Sequence, residues 1–209
     1  MSLFPIFLKL AGKLVVVAGG GAVAEGKISG LLSARARVRV VAPSVTAQIA
    51  DWSRRGKVEW LPKEFAAADL HGALLAIAAT CAAGVNEAVF RAAEEQNILC
   101  NAVDDTEHCH FYYGAVVQRG DLQIAISTNG KSPALAQRLR QELEAQFGPE
   151  YEAWLARLGA AREALRSSAS DSDATRKLLH EMAAAPSFDQ FLREAASPFE
   201  QSPDQQGTA

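Results

Sequence analysis

The run Leu14-Val15-Val16-Val17-Ala18 breaks off in Gly19-Gly20-Gly21 and passes straight into Ala22-Val23-Ala24, where an apolar pattern with helical spacing begins. Strand, glycine turn and helix in that order constrain the fold more than any other stretch. Gly19, Gly21 and Ala24 fill the three small-residue places of G-x-G-x-x-G/A. The first permits a tight turn, the second lets a pyrophosphate approach the backbone, and the third packs helix on strand. The N–H groups at the helix start, at Ala22 and Val23, then face the phosphates. A second strand at 38–41 completes a βαβ unit of about 30 residues. The plainer alternative is a structural strand–helix turn with no ligand. The acidic residue that would hold an NAD ribose about 20 positions on is absent. The second strand ends Val41-Ala42-Pro43-Ser44 instead, and Arg37 and Arg39 lie near it in sequence, so the motif alone leaves NAD and NADP open.

Strands and helices alternate as far as Asn101. Strand 14–18 leads to helix 22–34, strand 38–42 to helix 45–54, then come a short strand 58–61, the apolar run 74–79, helix 84–95 and strand 98–101. This order predicts an α/β fold with a Rossmann-type parallel sheet, its central strands covered on both faces. After Asp105 two strands, 111–117 and 122–127, flank the polar turn Gln118-Arg119-Gly120-Asp121 and read as an antiparallel hairpin. Ser132 as N-cap and Pro133 at the first helical position then start a helix that runs to Phe147. Helices follow at 151–166, 174–184 and 188–194, with a polar break at 167–173. The expected organisation is a dinucleotide-binding domain over 1–113, a hairpin-and-helix association region over 114–148, and a C-terminal helical domain over 149–209 with a disordered tail from 197.

With 209 residues, 49% hydrophobic and 22% charged, the chain can build a real core. A net charge of −3 gives no basic footprint for nucleic acid. No apolar run reaches the ~18–20 residues of a membrane span. The apolar opening Leu3-Phe4-Pro5-Ile6-Phe7-Leu8 lacks a basic region and a cleavage site and reads as packed structure. Three cysteines, Cys81, Cys100 and Cys109, form no CxxC pair, which points to free thiols in a reducing cytoplasm.

Ligands of open α/β sheets bind beyond the carboxyl ends of the strands. The candidates there are Gly19–Gly21, Pro43, Thr80, and Asn101-Ala102-Val103-Asp104-Asp105. A carboxylate at the nicotinamide end can accept a proton or hold a cation, although Asp104 and Asp105 also suit a turn. Glu107-His108-Cys109-His110 resembles a metal-handling segment, but no second cluster completes a tetrahedral site, and polar loop residues are the default. Ser127-Thr128-Asn129-Gly130-Lys131-Ser132, with Arg138 and Arg140 on the helix behind it, reads either as a second anion site or as an ordinary capped helix.

Taken together, several blocks resemble the precorrin-2 dehydrogenase family of siroheme biosynthesis. They are Phe4–Leu8 with Val15–Lys27, Ala76–Thr80, Cys100–Asp104 and Ile126–Ala136, in the family's order, over about residues 4–147. Cys109-His110-Phe111-Tyr112-Tyr113-Gly114 looks especially like the bifunctional dehydrogenase–chelatase of yeast, although His110 stands where that pattern has aspartate. No methyltransferase domain like that fused to the enterobacterial version is expected here. The resemblance implies NAD as cofactor, oxidation of precorrin-2 to sirohydrochlorin and, in bifunctional members, insertion of ferrous iron as a substrate. It also implies homodimers through the hairpin-and-helix region, with each active site near the subunit junction. Asp104 sits on the family's catalytic aspartate and, with His108 and His110, is the candidate for guiding the metal. Thr128 replaces a serine of some relatives. The carboxylate-rich substrate suits Ser127, Thr128, Asn129, Gly130, Lys131, Ser132 and Arg138. A dehydrogenase without chelatase activity, or a module that only senses NAD(H), are the alternatives.

Overall fold

The computed structural model describes residues 3–168 and 173–196. The tail expected from residue 197 and most of the polar break at 167–173 lie outside the described residues. The chain divides into two compact units at Tyr113/Gly114.

The first unit is built on β1 (Leu14–Ala18), α1 (Ala22–Ser33), β2 (Arg37–Val41), α2 (Ala47–Arg54), β3 (Val58–Leu61), β4 (Leu75–Ala78), α3 (Ala83–Glu95) and β5 (Leu99–Ala102). The five strands form one parallel sheet in the order β3-β2-β1-β4-β5. The chain therefore runs outward from β1 through β2 to β3 and returns on the other side of β1 as β4. That reversal opens a crevice between the carboxyl ends of β1 and β4, where α/β sheets take their ligands.

Alternation along β1 explains why both faces are covered. Val15 and Val17 pack with Ala24, Ile28 and Leu31 of α1 and Ile49 of α2. Val16 and Ala18 pack with Val89, Phe90 and Ala93 of α3. Side chains two apart share a face, so an unbroken apolar strand needs a helix on each side. Burying each such Val or Ile contributes about 1.5–3 kcal/mol.

The opening segment departs from expectation. Phe4 is 85% exposed and Phe7 68% exposed, and the sheet core closes without them.

The second unit contains the antiparallel pair β6 (Ala115–Arg119) and β7 (Leu122–Ile126), then α4 (Pro133–Gln146), α5 (Glu150–Ser168), α6 (Asp173–Met182) and α7 (Ala185–Ala196). The first hairpin strand starts later than the sequence predicts, at Ala115 rather than 111. Phe111 gives its carbonyl to Asn101 Nδ2 at 2.8 Å. Gly114 lies so close to the Ile126 carbonyl that no Cβ fits. The turn is also tighter, since the ladder reaches Arg119↔Leu122 and leaves only Gly120 and Asp121 between the strands. Arg119 is thereby a strand residue, and its guanidinium donates to the carbonyls of Phe147 at 2.9 Å and Glu144 at 3.0 Å. It satisfies orphan acceptors at the end of α4. Tyr151 and Trp154 of α5 pack on Phe188 and Phe191 of α7, and Arg157 bonds Glu194 at 2.8 Å across the same helices.

Candidate functional site

At the end of β1 the chain turns through Gly19, held at φ +122°. L side chains rarely adopt that conformation, and a Cβ there would run into the Ala79 carbonyl beyond β4. Gly20 is confined from the opposite side, by the Ser44 carbonyl and Val45 beyond β2. Its own carbonyl accepts from Thr46 N at 2.9 Å, while Gly19 N donates to Val41 O at 3.0 Å. The loop is clamped between the ends of β2 and β4. Gly21 differs, because a Cβ there would meet nothing within 4 Å. Gly21 is the N-cap of α1 and supplies no side-chain bond to the helix start. Among the described residues no N-cap side chain takes up the N–H groups of the first turn, and the space beside Gly21 is open. This is a cradle that fits a dinucleotide pyrophosphate.

Around the cradle, Pro43 is exposed at the end of β2, and Thr80 is half-buried beyond β4. Buried Asn86, on the first turns of α3, holds the Thr80 loop. Its Oδ1 accepts from Thr80 N at 3.1 Å and Thr80 Oγ1 at 2.7 Å, and its Nδ2 donates to Thr80 O at 3.1 Å. The arginines that left the cofactor open do not reach the end of β2. Arg37 begins that strand, at the end opposite the carboxyl ends. Arg39 bonds Glu59 at 2.8 Å and the Asp69 carbonyl at 3.1 Å. Lys63, two residues past β3, is paired with Asp69 at 2.6 Å.

Beyond β5, Val103 N donates to Ala78 O at 2.9 Å. Asp104 follows with φ +61°, exposed, in a left-handed turn that Asp tolerates better than most residues. Asn101 does not point outward. It is 6% exposed, and its Nδ2 bonds Phe111 O and Cys109 Sγ, which ties the 109–111 segment back onto β5. Asp105 Oδ2 lies 2.6 Å from His108 Nδ1, and this bond to the ring holds its carboxyl below the usual carboxylate range. His110 Nδ1 accepts from Cys100 N at 3.0 Å. Both rings pack against Phe90, at 5.1 and 4.8 Å between centroids. His108, His110 and Asp104 are not gathered into a ligand set. Among the described residues no group of three or more His, Cys, Asp or Glu side chains is placed to hold a metal ion. Cys109 donates to Ala102 O, and burial pushes the Cys100 thiol up to about 12, so neither is an activated thiolate.

The loop before α4 is occupied with itself. Ser132 Oγ accepts from Leu135 N at 3.2 Å, as its N-cap role requires. Thr128 Oγ1 accepts from Ser132 N and can donate to Ser132 O, and Ser127 Oγ accepts from Asn129 N. Lys131 N donates to Thr128 O at 3.0 Å. Gly130 and the Lys131 side chain are exposed, and Arg138 pairs with Glu142 at 3.2 Å.

Residues 6–115 match the family described as "Putative NAD(P)-binding", and residues 119–146 match "Sirohaem biosynthesis protein central". The chain belongs to this siroheme biosynthesis family. Among curated relatives, a "Siroheme synthase" of Chromobacterium violaceum is 39% identical over 92% of this chain, and one of Neisseria meningitidis serogroup B is 44% identical over 71%. The chain spans only 41% and 31% of those proteins. A solved structure, "SirC, precorrin-2 dehydrogenase", aligns with TM-score 0.75 and 27% identity, covering 92% of this chain and 98% of that one.

Within this family framework, sequence reasoning missed two residues. Asn86 is a helix amide whose only signal was a polar residue in an otherwise apolar first turn. Lys27 was read only as part of a family block. It is half-buried, with Nζ 3.7 Å from the centroid of the Tyr113 ring.

Proposed function

We propose that this chain oxidises precorrin-2 to sirohydrochlorin with NAD. The observation that carries the reading is the pairing of an uncapped glycine cradle at the β1/β4 crevice with an exposed carboxylate, Asp104, at the end of the adjoining β5. The matched solved structure bears the name of a precorrin-2 dehydrogenase, which supplies the substrate class.

In this mechanism Gly19, Gly20 and Gly21, with the N–H groups of Ala22 and Val23, hold the pyrophosphate. Pro43, Thr80 and Val103, beyond the ends of β2, β4 and β5, would line the rest of the cofactor site, with Asn101 fixing the loop behind them. Bound NAD supplies the hydride acceptor. Asp104 accepts the proton released from the macrocycle, so one hydride and one proton leave the substrate. Its left-handed turn holds the carboxylate outward, and the cradle orients the reacting partners. NAD is favoured over NADP because Arg37 stands at the start of β2, opposite its carboxyl end, while Arg39 is paired with Glu59 and Lys63 with Asp69. A 2′-phosphate would find no ready counter-charge there.

Insertion of ferrous iron into sirohydrochlorin is the second reading. What favours it is the same exposed Asp104, which can accept the pyrrole protons that the metal replaces. We assign the carboxylates of the substrate chiefly to the exposed Lys131, on the loop that Ser127, Thr128, Asn129, Gly130 and Ser132 build, with Arg138 on the helix behind it, and the association of two chains to the hairpin and α4. A cytoplasmic setting is consistent with three free cysteines. No helix among the described residues is long and apolar enough to cross a membrane.

The test is anaerobic incubation with precorrin-2 and either NAD or NADP, followed by sirohydrochlorin with Fe²⁺ or Co²⁺ and no NAD. NADH formation well above the NADP rate is expected. Tight NAD binding without turnover would instead favour a sensor. Metal insertion no faster than the uncatalysed reaction would remove the chelatase reading alone.

A further inference from the structure

Lys27 lies on α1, six residues past the Gly21 N-cap and therefore roughly 9 Å along the helix from the cradle. Its ammonium sits over the ring of Tyr113, at the end of the segment that Asn101 ties to β5. A half-buried ammonium ordinarily finds a carboxylate. Among the described residues Lys27 forms no ion pair and no hydrogen bond with one. The acid two residues earlier, Glu25, is engaged by Thr46 Oγ1 at 2.6 Å. Asp104 acts on Lys27 through space without bonding it. Burial pushes the Lys27 ammonium below its usual range, and the nearby charge of Asp104 partly restores it. A ring face holds a cation but offers no acceptor lone pair, so the three N–H donors remain available.

We propose that Lys27 receives a carboxylate of the substrate beside Asp104, with the Tyr113 ring holding the ammonium in position. The inference rests on the reading of a polycarboxylate tetrapyrrole as substrate, and it names a specificity-determining group for it. An arriving carboxylate would complete a charge pair that the protein leaves open, close to the group that takes the proton. Lys27 is then a binding residue and Tyr113 a positioning residue.

Lys27→Met keeps the apolar stem on Tyr113 and removes only the charge, and Lys27→Ala removes both. For either variant the expected result is a rise of about tenfold in the KM for precorrin-2 and in the Kd for sirohydrochlorin, with the Kd for NAD unchanged. Lys27→Arg should restore most of the affinity. Tyr113→Phe, which keeps the ring, should bind like wild type, while Tyr113→Leu should weaken the substrate and not NAD. An unchanged KM in Lys27→Met overturns the inference alone, as does a loss of NAD and tetrapyrrole binding together, which would mark a structural role. A wild-type enzyme without turnover removes the reading of the substrate, and this inference with it.

Discussion

The turns that open α1 and α4 look alike in sequence: glycines, small polar residues and a helix start. They differ in where their N–H groups go. At α1 the cap is a glycine with no side chain to offer, and the turn behind it is clamped by Ala79 and Ser44. At α4 the cap is Ser132, bonded to Leu135 N, and Thr128 and Ser127 take up further N–H groups. One turn is tightly confined and offers its helix start no capping side chain; the other supplies hydroxyls to its own N–H groups. A helix N-terminus therefore becomes a strong anion site only where the protein withholds its own cap. Any substrate binding by the 127–132 loop must come mainly from the exposed side chain of Lys131.

The sharpest way to break this contrast is at Gly19. Gly19→Ala combines an unfavourable φ with a clash against backbone, each worth about 1–3 kcal/mol. Chemical denaturation should show a loss within that range or above it, and calorimetry should detect no NAD binding. An alanine variant of wild-type stability would mean that the loop is not clamped. Next in size is Asn86→Ala, which strands the Thr80 N–H and should cost about 1–3 kcal/mol while weakening NAD. Normal NAD affinity in that variant would detach the Thr80 loop from the cofactor.

The finest comparison pairs Gly21→Ala with Ser132→Ala. Both alter an N-cap, and both should lose about 1 kcal/mol of stability. Only Gly21→Ala places a methyl group in the open space of the cradle, so it alone should weaken NAD, by about tenfold or more. Equal effects on NAD would erase the distinction between the two turns.

The sheet was legible because its determinants are local. Five apolar residues ahead of the glycines can only be a covered strand, and each later strand or helix carries its own period. The hairpin start was less legible. Phe111, Tyr112 and Tyr113 have strong strand propensity, yet Asn101 takes the Phe111 carbonyl, and Gly114 presses on Ile126. Those are long-range contacts with no local signature. The site divides the same way. Gly19 and Ser132 announced themselves by residue type and position. Asn101 did not show that it would turn inward, nor Arg39 that Glu59 would hold it, because partners 10 and 20 residues away decide both. The exposed Phe4 and Phe7 show the limit of composition, which expected them in a core that closes without them.

The central claim joins an NAD cradle to a proton-accepting Asp104, and one measurement addresses both halves. Wild type and Asp104→Ala are each saturated with NAD under anaerobic conditions, mixed with precorrin-2, and followed by NADH absorbance and sirohydrochlorin colour. The account predicts equal NAD affinity in the two proteins, matched yields of NADH and sirohydrochlorin in wild type, and a rate lower by about 100-fold or more in Asp104→Ala. Dehydrogenation at the wild-type rate in Asp104→Ala, with NAD bound normally, would contradict it.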